Sequence, residues 1–240
     1  MQLKVTNTLC GMEVPTPNGI FEIDVDDVYI RNHMMAGQVF ESHIINGTLK
    51  PYIEKSKYIV DVGANIGCHA ISYANMNPES KVWAFEPQEK LFGILSRNVA
   101  RNNLSDRIEI YKCGLGHKDT LTTLNSLDNV WDANMQGHNK GGLGIGEGGE
   151  IIKIRTLDSL DLPGLDFLKI DVEGAEGLVL QGAAQTIKKY KPVIFFEHNE
   201  AKIDPKVVGL NHVPTPFEVL VKLGYKTFNY IDWENYLTEG

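Results

Sequence analysis

The chain has 240 residues, of which 42% are hydrophobic and 22% are charged, and its formal charge at pH 7 is −8. This length suits one α/β domain with a sizeable core, and the composition is that of an ordinary globular protein. The negative charge argues against a general nucleic-acid binder, because neutralising phosphates requires clustered Lys and Arg.

The cysteines and the first residues bear on the compartment. Cys10, Cys68 and Cys113 stand far apart and show no zinc spacing, so we expect reduced thiols. The start of the chain has no apolar signal segment, and no stretch approaches transmembrane length. The default expectation is therefore a cytoplasmic protein.

Residues 1–50 are predicted to form an extension that precedes the main fold. Residues 1–19 contain Pro15, Pro17 and Gly19 and predict an irregular lead-in. Residues 20–25 alternate apolar and polar, and residues 28–30 follow an acidic turn, which predicts a hairpin. Residues 37–49 predict a short helix that would bring Glu41 and His43 towards the main fold.

The central part of the chain alternates between strand and helix patterns. Residues 58–62 predict a buried strand, residues 63–67 a glycine-bearing turn, and residues 68–76 a helix. The alternation then continues, with strands predicted over 81–85, 107–111, 166–173 and 193–197 and helices over 90–103 and 177–190. This order predicts a parallel, doubly wound sheet within one domain.

The remaining segments are less regular. Residues 121–124 and 151–156 predict short strands, and residues 125–149 between them are rich in Asn, Asp and Gly. A loop of that length is functional or disordered. It is interpreted either as a mobile cover over a site, with Trp131, Asn134 and His138 as possible substrate contacts, or as a surface excursion. Residues 199–240 predict a C-terminal helix over 214–223 and a strand over 225–231.

Chemically useful residues recur where the predicted strands end. The residues concerned are Asp61 with its glycine turn, Glu86, Gly114 with Leu115, Asp171 with Glu173, and Glu197 with His198. In a parallel sheet these ends share one edge, which is where ligands bind. A single acid at a strand end is usually solvated or caps a helix, but the recurrence at five strands predicts a site.

The glycine turn and Glu86 indicate the kind of ligand. Glu86 ends the second strand, where an acid accepts hydrogen bonds from a ribose diol. The turn from Gly63 to Gly67 has the spacing Gly-x-x-x-Gly, which lacks the pyrophosphate cradle of Gly-x-Gly-x-x-Gly. S-adenosylmethionine, which carries no phosphate, suits this turn. A dinucleotide-dependent oxidoreductase and a catalytically silent binding module remain alternatives.

From residue 58 to 198 the chain resembles the FkbM-type class I S-adenosylmethionine-dependent methyltransferases. The resemblance rests on Val-Asp-Val-Gly-Ala-Asn-Ile-Gly at 60–67, Phe-Glu-Pro at 85–87, Gly-Leu-Gly at 114–116 and, most specifically, Lys-Ile-Asp-Val-Glu-Gly-Ala-Glu at 169–176. It implies a Rossmann-like α/β fold, with a seven-stranded, mostly parallel sheet that has one antiparallel strand and helices on both faces. It also implies O-methylation of a hydroxyl, often on a sugar or polyketide.

The resemblance also implies which residues bind the cofactor. The glycine turn, with Asp61, Gly63, Ala64, Asn65 and Gly67, would hold the methionine end. Glu86, with Pro87 beside it, would hold the ribose, and the backbone of Gly114 and Leu115 would lie near the adenine. Asp171 and Glu173 would lie beside the sulfonium and the acceptor.

Methyl transfer to an alcohol requires that the hydroxyl lose its proton, either to a base or with the help of a metal. The candidate bases are Asp171, Glu173, Glu197 and His198. The same acids could hold a divalent ion through oxygen ligands, but a base without a metal is the preferred hypothesis.

The acceptor is expected to be a small molecule or a glycan, and a sugar hydroxyl is preferred to a polyketide. Five aromatic residues between Tyr225 and Tyr236 could stack on a sugar or simply pack the core. The sequence leaves the oligomeric state open.

Overall fold

The computed structural model describes residues 6–8, 11–126, 131–132, 137–198 and 203–240. The strands are β1 (Thr6–Thr8), β2 (Gly11–Thr16), β3 (Gly19–Ile23), β4 (Tyr58–Val62), β5 (Lys81–Phe85), β6 (Ile108–Tyr111), β7 (Gly114–Leu115), β8 (Thr120–Asn125), β9 (Trp131–Asp132), β10 (Gly137–His138), β11 (Gly148–Arg155), β12 (Phe167–Ile170), β13 (Val193–Glu197), β14 (Asn229–Tyr230) and β15 (Asn235–Thr238). The helices are α1 (Val28–Met35), α2 (Ser42–Asn46), α3 (Lys50–Ile53), α4 (Cys68–Met76), α5 (Glu89–Arg101), α6 (Glu176–Gln181), α7 (Ala184–Tyr190) and α8 (Pro216–Leu223), with a 3₁₀ turn at Leu157–Ser159.

A seven-stranded sheet in the order β14-β15-β13-β12-β4-β5-β6 forms the centre of the molecule. Strand β15 is antiparallel to both of its neighbours, and the pairs formed by β4, β5, β6, β12 and β13 are parallel. The predicted α/β fold, with a mostly parallel sheet and one antiparallel strand, is confirmed. The chain order reverses between β4 and β12, and ligands bind at such a switch point, outside the carboxyl ends of the strands.

Helices cover both faces of this sheet, because alternate strand residues point to opposite sides. In β4, Ile59 packs into a core cluster with residues of α4 and α5. Val60 and Val62 pack into a second cluster with residues of α6, α7 and α8. The strands are therefore apolar on both faces, which leaves polar groups to their ends.

The N-terminal region differs from the expectation. A hairpin forms from β2 and β3, with Thr16 opposite Gly19, so the predicted irregular lead-in is wrong over residues 11–19. Residues 28–30 begin helix α1 and are not a strand. The Asp27 side chain accepts the Ile30 N–H at 3.1 Å and caps this helix. Within the range 37–49, where one helix was predicted, the only helix is the short α2, and α3 follows directly after that range.

Asn98 joins the N-terminal hairpin to the main sheet. Its side-chain oxygen accepts the Glu22 N–H at 2.6 Å, and its amide donates to the carbonyl oxygens of Glu22 at 3.0 Å and Ile66 at 2.9 Å. Because Asn98 is fully buried in α5 and Ile66 belongs to the glycine turn, one side chain fixes three segments relative to each other.

The C-terminal segment is more extensive than predicted. The strand expected over 225–231 is confined to β14, and β15 was not predicted. A tight turn joins the two strands, in which the Asn235 N–H donates to the Asp232 carbonyl at 2.8 Å. Among the described helices, not one combines the length and hydropathy that a bilayer span requires. The division into an extension, a core and a C-terminal part remains a prediction.

Candidate active site

A cavity of about 480 Å³ opens at the carboxyl edge of the sheet, outside β4, β5, β12 and β13. A narrower cavity of about 60 Å³ adjoins it and shares Gly63, Glu86, Asp171 and Glu173 with it. Predicted site residues line one or both, namely Gly63, Ala64, Asn65, Glu86, Pro87, Gly114, Leu115, Asp171, Glu173 and Glu197. Asp61, Gly67 and His198 line neither of them.

The glycine turn packs tightly between β12 and β5. Gly63 has φ 77°, and a Cβ atom on it would lie 1.8 Å from the Asp171 carbonyl oxygen, so only glycine fits. The N–H groups of Gly63 and Ala64 both donate to the Phe85 carbonyl, at 3.0 and 2.9 Å. The backbone of the turn is therefore held at the cavity wall.

Asp61 and Lys169 support the turn from behind. Lys169 is almost fully buried, and its Nζ lies 3.2 Å from Asp61 Oδ1 and donates to the Gly63 carbonyl at 2.8 Å. The other Asp61 oxygen accepts the Ala70 N–H at 3.1 Å. Burial acts to lower the pKa of Lys169, but Asp61, Asp171 and Glu41 outweigh it and raise that pKa, so the ammonium stays charged. Asp61 is thus placed behind the turn, rather than in contact with a ligand in the cavity.

Glu86 lies between the two cavities. Its Oε2 accepts the Asn65 N–H at 2.9 Å, and its Oε1 accepts the Gln88 N–H at 2.9 Å. Burial raises the pKa of Glu86 to about 7, although these two N–H groups act to lower it. Each oxygen keeps a second lone pair, with which it can accept a hydroxyl from a ligand.

The narrow cavity is mostly apolar. Pro87, Gly114 and Leu115 form one part of its wall, and aliphatic side chains from the strands and loops beside them complete it, namely Leu124, Leu143, Ile145, Ile152 and Ile154. A flat, weakly polar ring such as adenine suits this lining.

Three carboxyl groups converge where β12 and β13 end. Asp171, Glu173 and Glu197 each offer an oxygen within 4.8 Å of the others. Burial, and then the charges of Asp171 and Glu173, raise the pKa of Glu197 to about 10. Like charges at this distance cannot all be ionised, so the group retains a proton near neutral pH. The arrangement can exchange a proton with a ligand, and oxygen ligands of this kind can also bind a divalent ion.

His198, although it follows Glu197 directly, belongs to the packing of the C-terminal strands. The His198 ring meets the Phe217 ring edge to face, with 5.2 Å between the ring centroids, and the His198 backbone N–H donates to the Glu234 carbonyl at 2.8 Å. Because it does not line the cavity, the structure gives no support to His198 as a base.

Residues 139–141 of the glycine-rich loop form part of the cavity wall. Lys140 anchors them, since its Nζ lies 2.7 Å from Asp24 Oδ2 and its N–H donates to Asp27 Oδ2 at 3.1 Å. The neighbouring Asn139 and Gly141 line the cavity. Of the contacts predicted for this loop, His138 bridges to Asp27 through the backbone and does not line the cavity, Trp131 lies in β9, and Asn134 is outside the described residues.

Several cavity residues were not predicted. Glu41, expected only to approach the site, lines it together with Tyr29, Phe40 and His69. His43 instead pairs at the surface with Asp232, at 2.9 Å. His69 could have been found from the sequence, because it follows the glycine turn by two positions. Trp233, Glu234 and Asn235 also line the cavity and come from the turn between β14 and β15. No sequence pattern around them predicts a site.

Comparisons with known proteins agree with this geometry. The family model described as "Methyltransferase FkbM domain" matches residues 61–236. Methyltransferase 1 from Beauveria bassiana (strain ARSEF 2860) is 32% identical in an alignment of 145 residues that covers 52% of this chain and 57% of that protein. Methyltransferase sdnD from Sordaria araneosa is 26% identical in an alignment of 174 residues that covers 60% of this chain and 66% of that protein.

The crystal structure of methyltransferase FkbM from Methylobacillus flagellatus KT has a similar fold, with a TM-score of 0.52 at 20% identity. The similarity covers 77% of this chain and 44% of that one. The chain thus matches less than half of that structure and 57–66% of the two curated relatives.

Proposed function

Since the chain belongs to the FkbM methyltransferase family and is an S-adenosylmethionine-dependent methyltransferase, we propose that it methylates a hydroxyl oxygen of a sugar or glycan. The observation that supports oxygen as the methylated atom is the carboxyl cluster of Asp171, Glu173 and Glu197 at the cavity wall. A hydroxyl is a poor nucleophile until it loses its proton. The carboxyl cluster can accept that proton, and it lies at the carboxyl edge of the sheet, where the cavity opens.

The lining of the two cavities fits S-adenosylmethionine. The glycine turn lies at the cavity wall and can receive the methionine end, Glu86 can accept the ribose hydroxyls, and the apolar narrow cavity suits the adenine. When bound, the cofactor supplies an electrophilic methyl group. The protein then has to align the acceptor oxygen with that group and exclude water.

The carboxyl cluster supplies the proton chemistry in this proposal. The acceptor O–H would donate to one of the ionised carboxylates, which takes the proton as the acceptor oxygen gains the methyl group and the methyl–sulfur bond of the donor breaks, leaving S-adenosylhomocysteine. Glu197 keeps the proton that the cluster retains at neutral pH.

Asp171→Asn and Glu173→Gln variants, made singly, test this role, with His198→Gln as the matched control. Each keeps the shape of its side chain but removes one carboxylate that can take the proton, and we expect kcat to fall by about 10²–10⁴-fold in the variant that has lost the base. Affinity of that variant for S-adenosylhomocysteine, measured by calorimetry, should stay within threefold of wild type. His198→Gln should retain wild-type kcat. Unchanged kcat in both Asp171→Asn and Glu173→Gln would exclude the cluster as the base.

The acceptor class is tested by assaying methyl transfer to a panel of sugars, with polyketides and other small alcohols as the competing class. Methylation of polyketides alone would overturn the sugar assignment while leaving O-methylation intact.

A metal-assisted reaction is the second candidate, because the three carboxyl oxygens lie close enough to share an ion. The base mechanism predicts that kcat is unchanged by dialysis against a chelator. A loss of activity that Mg²⁺ or Mn²⁺ restores would favour the metal.

A further inference from the structure

The turn between β14 and β15 has an unusual sequence for its shape. The Asn235 N–H donates to the Asp232 carbonyl, and the two residues between them, Trp233 and Glu234, have φ of 45° and 68°. Positive φ at both central positions is the type I′ hairpin turn, where Asn-Gly is strongly preferred. A bulky aromatic residue followed by Glu is disfavoured there, so local folding preference does not explain this pair.

Both residues of the turn line the large cavity. Backbone strain is concentrated there more generally. Of the seven non-glycine residues with positive φ in the described part of the chain, five line the cavity, namely Glu41, Asn65, Glu173, Trp233 and Glu234. Such strain persists where surrounding contacts impose it, and it clusters at functional sites.

Contacts around the turn hold it in place. The Asn235 side-chain amide donates to Glu41 Oε1 at 2.8 Å, and the other Glu41 oxygen lies 3.2 Å from His69 Nε2. The Glu234 carbonyl accepts the His198 N–H at 2.8 Å. With its backbone fixed in this way, the turn presents a Trp side chain that remains 61% exposed and a carboxylate beside it.

The cavity carries an excess of negative charge. Six acidic residues line it, namely Glu41, Glu86, Asp171, Glu173, Glu197 and Glu234, of which Glu197 keeps a proton, and among the described lining residues the only Lys or Arg is Lys169. The charge of Lys169 is matched by Asp61, which lies behind the turn. Burial acts to raise the pKa of Glu41, but His69, Lys169 and Asn235 outweigh it and lower that pKa, so Glu41 is ionised.

We propose that the Trp233–Glu234 turn recognises the methyl acceptor, and that this acceptor is an amino sugar with a protonated amine. The proposal rests on the sugar O-methylation proposed above and narrows it to one class. An ammonium group can lie over the Trp233 ring and donate to Glu234 or Glu41, while the sugar hydroxyls reach the carboxyl cluster. A sugar acid or sugar phosphate would meet carboxylates on several sides.

Matched sugars test the charge preference. Glucosamine, galactosamine and mannosamine are assayed against their N-acetylated forms and against glucuronic acid, by methyl transfer and by calorimetric titration into the enzyme saturated with S-adenosylhomocysteine. We expect the best amino sugar to bind at least tenfold more tightly than its N-acetylated form, and glucuronic acid not to bind. Equal affinities, or no binding by any amino sugar, would overturn the proposal.

The two readouts separate this proposal from the proposed function. Tight binding of amino sugars without methyl transfer would retain the recognition site and contradict O-methylation of sugars. Methyl transfer to N-acetylated or acidic sugars in preference to the amines would retain O-methylation and overturn the recognition site.

Variants of the turn supply the structural test. Glu234→Gln should reduce the preference for amine over N-acetyl about tenfold, and Glu79→Gln, an exposed acid outside the cavity, should not change it. The double variant Trp233→Asn/Glu234→Gly satisfies the type I′ turn, so it should raise the Tm while weakening amino-sugar binding more than tenfold. Affinity for S-adenosylhomocysteine should stay unchanged in both. A double variant that keeps amino-sugar affinity would show that the turn is only structural.

Discussion

Replacing Lys140 with Met tests whether the glycine-rich loop helps to hold the cofactor. Met keeps the length of the side chain and removes its charge, which in the wild type lies 2.7 Å from Asp24 Oδ2. The Lys140 side chain is 11% exposed and that of Asp24 is 4% exposed, so the pair is largely desolvated. Breaking a buried pair costs about 3–5 kcal/mol, and Asp24 keeps a second partner in Lys90, so we expect about 2 kcal/mol.

This loss should appear at the cavity, because Lys140 stands between Asn139 and Gly141 in its wall. The backbone of Lys140 keeps its bonds to Asp27 and Gln88, so the loop loosens without detaching. We expect the variant to destabilise the closed conformation of the loop by about 2 kcal/mol relative to an open one. If S-adenosylhomocysteine binds only the closed conformation, its Kd rises roughly 30-fold. Calorimetric titration measures that change.

Lys90→Met is the matched control for Lys140→Met. Lys90 bonds the same Asp24 oxygen at 2.6 Å, but its side chain is 60% exposed, and the variant should change Kd less than threefold. If Lys140→Met binds S-adenosylhomocysteine with wild-type affinity, the loop does not contribute to cofactor binding. If both variants weaken binding equally, the effect comes from the charge of Asp24 and not from the loop.

The same pair has a pH signature. Burial acts to raise the pKa of Asp24, but hydrogen bonds from Lys140, Lys90 and the Asp26 backbone outweigh it and leave the pKa below its usual 3.8. A lowered folded-state pKa means stabilisation that is present above the unfolded value and is lost as the pH falls through the folded value. The stability difference between wild type and Lys140→Met should therefore narrow below about pH 4 in acid titrations followed by circular dichroism.

Three further changes can be predicted. Gly63→Ala places a methyl group 1.8 Å from the Asp171 carbonyl oxygen, so the affinity for S-adenosylhomocysteine, measured by calorimetry, should fall more than 100-fold. Gly93→Ala on α5 should leave that affinity unchanged. Equal affinities of the two variants would contradict the tight packing of the turn. Burial raises the pKa of Glu86 in the folded protein to about 7, so its ionisation costs stability as the pH rises from about 4.5 to 7. Glu86→Gln should remove up to about 3 kcal/mol of that decline, measured by urea unfolding at pH 5 and 7. Parallel stability profiles for wild type and variant would contradict the raised pKa. Thr215→Ala breaks the capping box of α8 and should cost about 1 kcal/mol in the same assay without changing kcat, and a neutral result would mean that the cap is dispensable.

The sheet and the part of the cavity wall formed by the strand ends could be predicted because their signals are local. Each main strand is a short apolar run, and the residues that line the cavity follow those runs directly, as Glu86 follows β5 and Asp171 follows β12. Parallel strands bring such ends to one edge without any further information.

The rest of the cavity wall could not be predicted because it depends on contacts between distant segments. Lys140 and Asp24 are 116 positions apart, and Asn235 and Glu41 are 194 apart. Trp233 and Glu234 are not residues that favour a hairpin turn, so turn preferences do not predict a turn at these positions. The error at α1 was different, since residues 28–30 resemble a strand and only the Asp27 cap decides for a helix.

Asn235 bonds Glu41, so the wall proposed for the acceptor is built from two segments that lie 194 positions apart. The residues proposed to hold the cofactor follow the ends of strands that lie between these segments in sequence. Substitutions in the two outer segments can therefore reshape the proposed acceptor wall without touching the glycine turn or Glu86. The two proposed functions of the cavity are thus open to separate variation.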